Sequence, residues 1–459
     1  MKAANRIFYL FYFLFFAQNA FCAQYSFESA YARALSASET VLAAQKEAEK
    51  YGAQRKAAFG LYMPKAGVKG SYTFLDGPIV MDLNSIRSTI VPLYPPGTNI
   101  PPFIETIQDD RFFKAEAYAT LPVFTGGKLR AANAAAEADY EAALAKLEGV
   151  RNNILTEVSS KYFGAMLAGQ VVNVREHFLE SARQNAQDAA KMYQAGLISK
   201  VEKMAVDIVC SQAQRDYNSS VNDASLANTL LQNLLSENED VTFSSSLFVT
   251  DMGKMEALAY YQGRAQAANS MLKVLDAKMQ AADAAVKAQA SQFMPTVYLF
   301  GSRELYKDDL TILDPVYSYG AGFAWSLFEG GSDVNKTKAA LRQREAVRYL
   351  RQKHSKDINT AVEYYYKKME NALMNYKAVQ DEIGYTREFY AARELGFKAG
   401  TSTSLEVNMA LVQRMKAELD SLQAQYDFVV SLANMLSVSS MTSDFENYKK
   451  QSYQTETEK

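Results

Sequence analysis

Along most of the chain apolar residues recur at every third or fourth position, and in a few stretches this rhythm gives way to strict alternation. From Phe27 to Tyr62 the residues are rich in Ala, Glu, Lys and Gln without proline, which predicts one helix ended at Met63-Pro64, where proline removes an amide donor. Val68, Gly70, Tyr72 and Phe74 then alternate with Lys69, Ser71 and Thr73, predicting a strand over 66–75. A Pro-rich loop from Asp76 to Asp110 leads to a second strand over 112–121, with small Ala115, Ala117 and Ala119 opposite Lys114, Glu116, Tyr118 and Thr120. From Lys128 to Ala195 there is no proline, and Leu144, Leu147, Val150, Ile154, Val158 and Tyr162 step by three or four. This predicts a very long amphipathic helix, on the order of 100 Å at about 1.5 Å per residue. Ala195-Gly196 interrupts it, a shorter helix follows from Ser199 to Ser236, and a stretch over 237–253 breaks the pattern with Asn, Asp and Ser beside an apolar run at Val241 to Val249.

The order then starts again. A helix from Lys254 to Gln292 ends at Met294-Pro295; strands over 296–302 and 317–327 follow, then a proline-free helix from Ser332 to Ala399, Gly400, and a last helix to Leu436. The repetition is numerical: Phe124, Gly126, Gly127, Ala195, Gly196 and Glu202 recur 204 residues later as Phe328, Gly330, Gly331, Ala399, Gly400 and Glu406. Self-similarity on this scale indicates a duplicated structural unit. The predicted organisation is a leader at 1–23, a first strand-and-helix repeat at 24–236, a linker at 237–253, a second repeat at 254–436, and a polar, mobile C-terminal tail at 437–459.

The clearest strand puts Tyr317, Tyr319, Ala321, Phe323, Trp325 and Leu327 on one face and Ser318, Gly320, Gly322, Ala324 and Ser326 on the other. A membrane strand has this form, one face for lipid and one for a lumen, and Tyr317 and Trp325 stand near its ends where interfacial aromatic rings are favoured. A soluble sheet with one buried face has it too. What tips the reading is the N-terminus, where Lys2 and Arg6 precede an apolar run from Ile7 to Phe16 and a small, polar stretch to Ala23, the layout of a secretory signal peptide. Lipidation at Cys22 is the alternative, and the bulky Phe21 before it fits that poorly. Beyond the leader no apolar stretch reaches the roughly 20 residues of a membrane helix, so any crossing is made by strands. Four strands cannot close a barrel, and an open edge is not tolerated in lipid, so several copies must contribute.

The last helix carries a heptad-like seam through Val412, Met415, Leu419, Leu422, Tyr426, Val429, Ala433 and Leu436, and the helix before it a facing stripe through Ile358, Val362, Tyr365, Met369, Leu373 and Tyr376. These stripes serve a structural or adhesive coiled-coil surface stalk as well as a channel. Charge adds little: Lys and Arg number 49 and Asp and Glu 51, which gives no attraction to nucleic acid. With the leader gone, Cys210 is the remaining cysteine and no internal disulfide is possible. His177 and His354 lack partners at a metal-binding spacing, and no phosphate loop or Ser-His-Asp pattern occurs. The reading is therefore no enzyme, no cofactor and no metal.

Three features carry a resemblance to the TolC family of outer-membrane efflux and secretion proteins over essentially the whole mature chain. The strand-to-helix junctions Leu121-Pro122-Val123-Phe124-Thr125-Gly126-Gly127 and Ser326-Leu327-Phe328-Glu329-Gly330-Gly331 are similar to the family's, as are the turns Tyr193-Gln194-Ala195-Gly196-Leu197-Ile198-Ser199 and Phe397-Lys398-Ala399-Gly400-Thr401-Ser402-Thr403. The third is the order of elements. The resemblance implies a mainly α protein with a membrane β-barrel: a homotrimer with four strands per protomer in a 12-stranded barrel, and a helical tunnel in the periplasm of a Gram-negative cell. It implies an outer-membrane exit duct in efflux or type I secretion, passive, with a periplasmic adaptor and an inner-membrane transporter as partners. The turns, with Ser199 and Thr403 as caps, would form the adaptor-docking tip, and Glu406 matches one of the acidic positions that gate the entrance, with Glu202 its counterpart in the first repeat. The sequence departs from the family at a second acidic position, where Met409 stands. Pro64 and Pro295 differ by 231 rather than 204, so the longer first loop, Asp76 to Asp110, is the variable segment and is expected outside the cell.

Overall fold

The computed structural model describes residues 23–307 and 315–452. The expected leader, apart from Ala23, and the last seven residues of the expected tail lie outside them. The elements run in the order β1 (Ala23–Tyr25), α1 (Phe27–Ala37), α2 (Glu39–Phe59), β2 (Lys65–Phe74), β3 (Ile79–Asp82), α3 (Asn84–Ile90), β4 (Ile104–Gln108), β5 (Arg111–Phe124), α4 (Lys128–Gln194) and α5 (Lys200–Leu235). They continue with β6 (Val241–Phe243), α6 (Leu258–Ala268), α7 (Ser270–Ala290), β7 (Thr296–Lys307), β8 (Tyr317–Ala324), α8 (Ser332–Lys398), α9 (Ser404–Val438) and α10 (Phe445–Lys450).

The duplication is tighter than one offset conveys. α4 and α8 are both 67 residues and stand 204 apart, while α1, α2 and the 3-10 turn at Gly60–Tyr62 recur 231 residues later as α6, α7 and the turn at Ser291–Phe293. The single helix expected before each hairpin is therefore broken, at Ser38 and at Asn269. Both break residues cap the helix that follows: the Asn269 Oδ1 accepts from Met271 N at 2.9 Å, and the Ser38 Oγ from Val41 N at 3.4 Å. A side chain that binds the first free amides of a helix favours a new start over continuation.

Two compact units emerge, and each sequence repeat is divided between both. The first comprises the residues up to Gln45, Ala145–Leu272 and the residues from Lys353 on. Its core gathers Phe27, Tyr162, Phe163, Phe248, Leu231, Leu235, Val362, Met369, Phe428 and Leu432. β1 pairs in parallel with β6, Ala23 opposite Val241, and the Tyr25 hydroxyl donates to Glu237 at 2.7 Å. The tail expected to be polar and mobile is ordered through Ser452: α10 seats Phe445, 1% exposed, against Phe27 with ring centroids 4.6 Å apart. Two aromatic residues three apart in one helical turn suffice to anchor it, and the Tyr448 hydroxyl lies 2.7 Å from that of Tyr261. Burial of Tyr261 raises its pKa far above the ordinary tyrosine value, so the pair stays uncharged.

On α8, Ile358, Val362, Met369, Leu373 and Tyr376 are buried as the stripe predicts. On α9 the seam holds at its C-terminal end, where Val429, Ala433 and Leu436 are buried, and is displaced before it: Ala410, Leu411, Ala417, Ser421, Ala424 and Phe428 are buried, whereas Val412 is exposed and Met415, Leu419, Leu422 and Tyr426 are half-buried. Small side chains let helices approach closely, so they take the buried line and the larger ones flank it.

The second unit, Lys46–Leu144 and Lys273–Gln352, holds an antiparallel four-stranded sheet in the order β2-β5-β7-β8. The expected strands are present with different limits: β5 extends to Phe124, β7 to Lys307, and β8 stops at Ala324, so Trp325 lies just past its end. The loop between β2 and β5 is not irregular throughout, because β3 and β4 pair as a small sheet and α3 lies between them. β2 and β8 each have one edge without a strand partner among the described residues.

Candidate functional site: a membrane sheet, two junctions and two capped turns

Register fixes which side chains share a face of the sheet. Lys69 stands opposite Glu116 and Tyr118 opposite Ser302, which in turn is opposite Ser318. This face carries the polar groups: Lys69 and Glu116 form an ion pair at 3.1 Å, Lys114 and Glu304 another at 3.3 Å, and the Ser302 and Ser318 hydroxyls meet at 2.7 Å. The other face carries Val68, Tyr72, Phe74, Phe113, Leu299, Tyr306, Tyr317, Tyr319 and Phe323, all exposed, with Tyr319 at 89%. A contiguous apolar face of this size on a sheet is not a water-facing surface.

The expected interfacial aromatics mark the two ends of β8. Tyr317 lies under the Arg303 guanidinium, 5.3 Å from its ring centroid, and Trp325 Nε1 donates to the Phe293 carbonyl at 3.2 Å. Eight positions separate them, about 26 Å along the strand at about 3.3 Å per residue, so at a barrel strand's tilt of about 40° they span about 20 Å of the membrane's apolar band. Around Trp325, at the helix side of the sheet, Val123, Phe124, Phe293, Met294, Leu327 and Phe328 are also exposed. Sequence reading had singled out Phe124 and Phe328 but not the girdle they belong to, whose members come from three separate segments.

All four junction glycines adopt positive φ: Gly126 at 61°, Gly127 at 92°, Gly330 at 62° and Gly331 at 77°. Gly126 is constrained twice over, since a Cβ there would stand 2.5 Å from the Met294 Cβ and 2.8 Å from the Ser291 carbonyl oxygen. The junction then enters its long helix directly, with the Thr125 Oγ1 accepting from Leu129 N at 3.3 Å.

The two turns are equally alike. Gly196 and Gly400 lie at φ 71° and 75°, and the residue after each returns a hydrogen bond into the helix: Leu197 N to the Met192 carbonyl and Thr401 N to the Gly396 carbonyl, both 2.8 Å. This is the Schellman closure that a left-handed glycine permits. Ala195 and Ala399 precede the glycines at the helix ends, their amides still bonded to Lys191 and Leu395 carbonyls. Ser199 and Thr403 then open α5 and α9 with reciprocal capping boxes. The Glu202 carboxylate accepts from Ser199 N and the Glu406 carboxylate from Thr403 N, each at 2.8 Å. Glu406 also meets Arg393 at 3.3 Å. The Thr403 amide, and then Arg393, hold the Glu406 carboxyl below the usual carboxylate range. The first repeat has no such arginine, because Ala189 occupies the equivalent place.

Beside the first turn, Leu197, Val201, Met204 and Ile208 line one side of α5 and are 51–75% exposed. Sequence reading passed over them: their spacing is the same three-and-four rhythm that elsewhere marks a buried stripe.

Long paired helices closed by glycine turns, joined through glycine junctions to a sheet with one apolar face, define a protomer of an export channel. A profile of the outer membrane efflux protein family matches residues 30–237 and 262–438, and the chain belongs to that family. It is an outer-membrane channel, the exit duct of an efflux system, and a passive conduit rather than an enzyme. The surface-stalk reading is thereby set aside. A 98-residue stretch, 21% of this chain and 23% of the relative, is 32% identical to the cobalt-zinc-cadmium resistance protein CzcC of Cupriavidus metallidurans. Among solved structures the fold is similar to CusC, at TM-score 0.74 and 16% identity over 90% of this chain and 91% of that one. It is also similar to the CmeC outer membrane channel of Campylobacter jejuni, at TM-score 0.72 and 14% identity over 93% and 90%.

Proposed function

We propose that three copies of this chain close one 12-stranded barrel, and that the resulting duct receives its cargo at the two capped turns from an adaptor and an inner-membrane transporter. The open edges of the four-stranded sheet carry this reading. An unpaired amide in hydrocarbon costs several kcal/mol, so a sheet with this apolar face is stable in a membrane only if β2 of one copy pairs with β8 of the next. Cysteines scanned along β2 and β8 test it: oxidation should give crosslinked dimers and trimers in the outer-membrane fraction, whereas crosslinking in no register would reject the arrangement.

The exposed row Leu197, Val201, Met204 and Ile208 beside the first turn supplies the apolar surface on which an adaptor would seat, with Ala195, Gly196, Ala399 and Gly400 shaping the tip. Photo-crosslinkers at Leu197 and Val201 should capture a periplasmic protein in cells, and its genetic neighbour transporter would name the cargo. The family covers several cargoes, and the match to the cobalt-zinc-cadmium protein is too short to choose among them.

Glu202 and Glu406 remain our gate candidates, but each already serves as a helix cap. Glu406→Ala removes cap and charge together, while Glu406→Gln keeps an acceptor for Thr403 N and loses the charge on Arg393. A gating role requires Glu406→Gln to raise single-channel conductance above wild type; equal conductance would leave the residue as a cap.

A further inference from the structure

The groups on the polar face of the sheet are not scattered. Lys69 of β2, Lys114 and Glu116 of β5, Ser302 and Glu304 of β7 and Ser318 of β8 lie at one level and cross all four strands, each within a residue or two of its neighbour's register partner. Both acids are sheltered, the Glu304 side chain 7% and the Glu116 side chain 20% exposed, while Lys69 is 65% exposed and Lys114 35%. Nearer the helices the same face presents Tyr118, Tyr298 and Phe300, with Lys65 at the end of β2. Arg111 and Arg303 fall on the opposite face, opposite Phe74 and Ala117.

We propose that Lys69, Lys114, Glu116 and Glu304 form a charge-compensated belt around the lumen of the outer exit, and that this compensation is what lets the exit pass cations and anions alike. The inference rests on the trimeric reading above, in which this face lines the pore. A lumen with low-dielectric walls magnifies any net charge placed in it. Four unpaired lysines or glutamates per level would make the exit a filter; two opposite pairs per protomer cancel at distances longer than the pair, and Lys307, the register partner of Lys114, stands beyond them at the loop end of β7. The lysines lie toward the open water and the acids beneath them, so removing a lysine uncovers a carboxylate that is already in place. Specificity of the duct is then left to its other end.

Local potential at the belt is read by thiol chemistry at Ser318, which faces it. In the full chain carrying Cys210→Ser and Ser318→Cys, reconstituted in liposomes, the rates of modification by a cationic and an anionic membrane-impermeant methanethiosulfonate of similar size are compared. With the belt intact the ratio should lie within about 2-fold of that for a free thiol in solution. Lys114→Met should raise the cation-to-anion ratio by about 5-fold and Glu116→Gln should lower it by a similar factor, the effect of one uncompensated charge two strands away, roughly 12–16 Å by register, in a confined, partly aqueous space. Ratios unmoved by both substitutions overturn the belt. If Ser318→Cys reacts with neither reagent while a lipid-soluble maleimide labels it, this face is not luminal, and the trimeric reading fails with the belt. Tyr319→Cys, on the opposite face, should show that lipid-only pattern throughout.

Discussion

At the junctions, backbone conformation and available space can be separated residue by residue. Gly126 and Gly330 share nearly the same φ, yet a Cβ at Gly126 meets Met294 and Ser291, whereas at Gly330 it meets nothing within 4 Å. Gly330→Ala should therefore cost about 1 kcal/mol, from left-handed strain alone, and Gly126→Ala about 3 kcal/mol, from strain plus overpacking. The temperature at which trimers dissociate on gels ranks the two; equal effects would contradict the packing argument. The equivalence of these glycines was visible in the sequence as a repeated motif, but the difference was not, because Met294 approaches Gly126 from the turn before β7, 168 residues away. At the turns, Glu406 has a carboxyl pKa held down by the Thr403 amide and Arg393. A lowered folded pKa means its contribution is complete above the ordinary carboxylate value and is lost as pH falls through the lowered one. The protection factors of amides in the first turn of α9, taken relative to the intrinsic exchange rate at each pH, should thus be flat from neutrality down to about pH 4.5 and fall below it, with that fall abolished in Glu406→Gln.

Elements show a second pattern: what the sequence makes periodic is legible, and what depends on one cap or one anchor is not. The long helices α4 and α8 and the glycine turns are where periodicity and spacing put them. The breaks at Ser38 and Asn269 fall inside Ala-rich runs without proline and with no glycine at either break, so a helix-long pattern conceals them until the side-chain caps are seen. α10 was concealed by its polar residues. Its anchor predicts that Phe445→Ala costs about 3–5 kcal/mol, the range for emptying an aromatic site in a packed core, and lowers the yield of folded protein in the membrane fraction. Tolerance of that change would show the aromatic cluster of Phe27, Phe163 and Phe248 to be self-sufficient. Replacing Ser199 or Thr403 by Ala should cost about 1 kcal/mol each and loosen only the first turn of the following helix, seen as faster exchange there.

For the whole molecule, the two offsets of 231 and 204 divide the chain by role. The segment between them, from β2 through β5, holds the longer first loop with β3, α3 and β4, and is the part of the duplication free to differ. The helices on either side of it recur without insertion, α1 and α2 as α6 and α7 and α4 and α5 as α8 and α9, as a conduit assembled from equivalent units requires. Membership of the outer membrane efflux protein family establishes the channel; the apolar sheet face, Tyr317 on β8 with Trp325 just past its end, and the edges of β2 and β8 without a strand partner among the described residues support the proposal that several copies close it together. The most direct test is single-channel recording of the purified full-length protein in planar lipid bilayers. Uniform conductance steps from trimers account for a closed luminal barrel, and folded, membrane-inserted protein that gives no steps would contradict it.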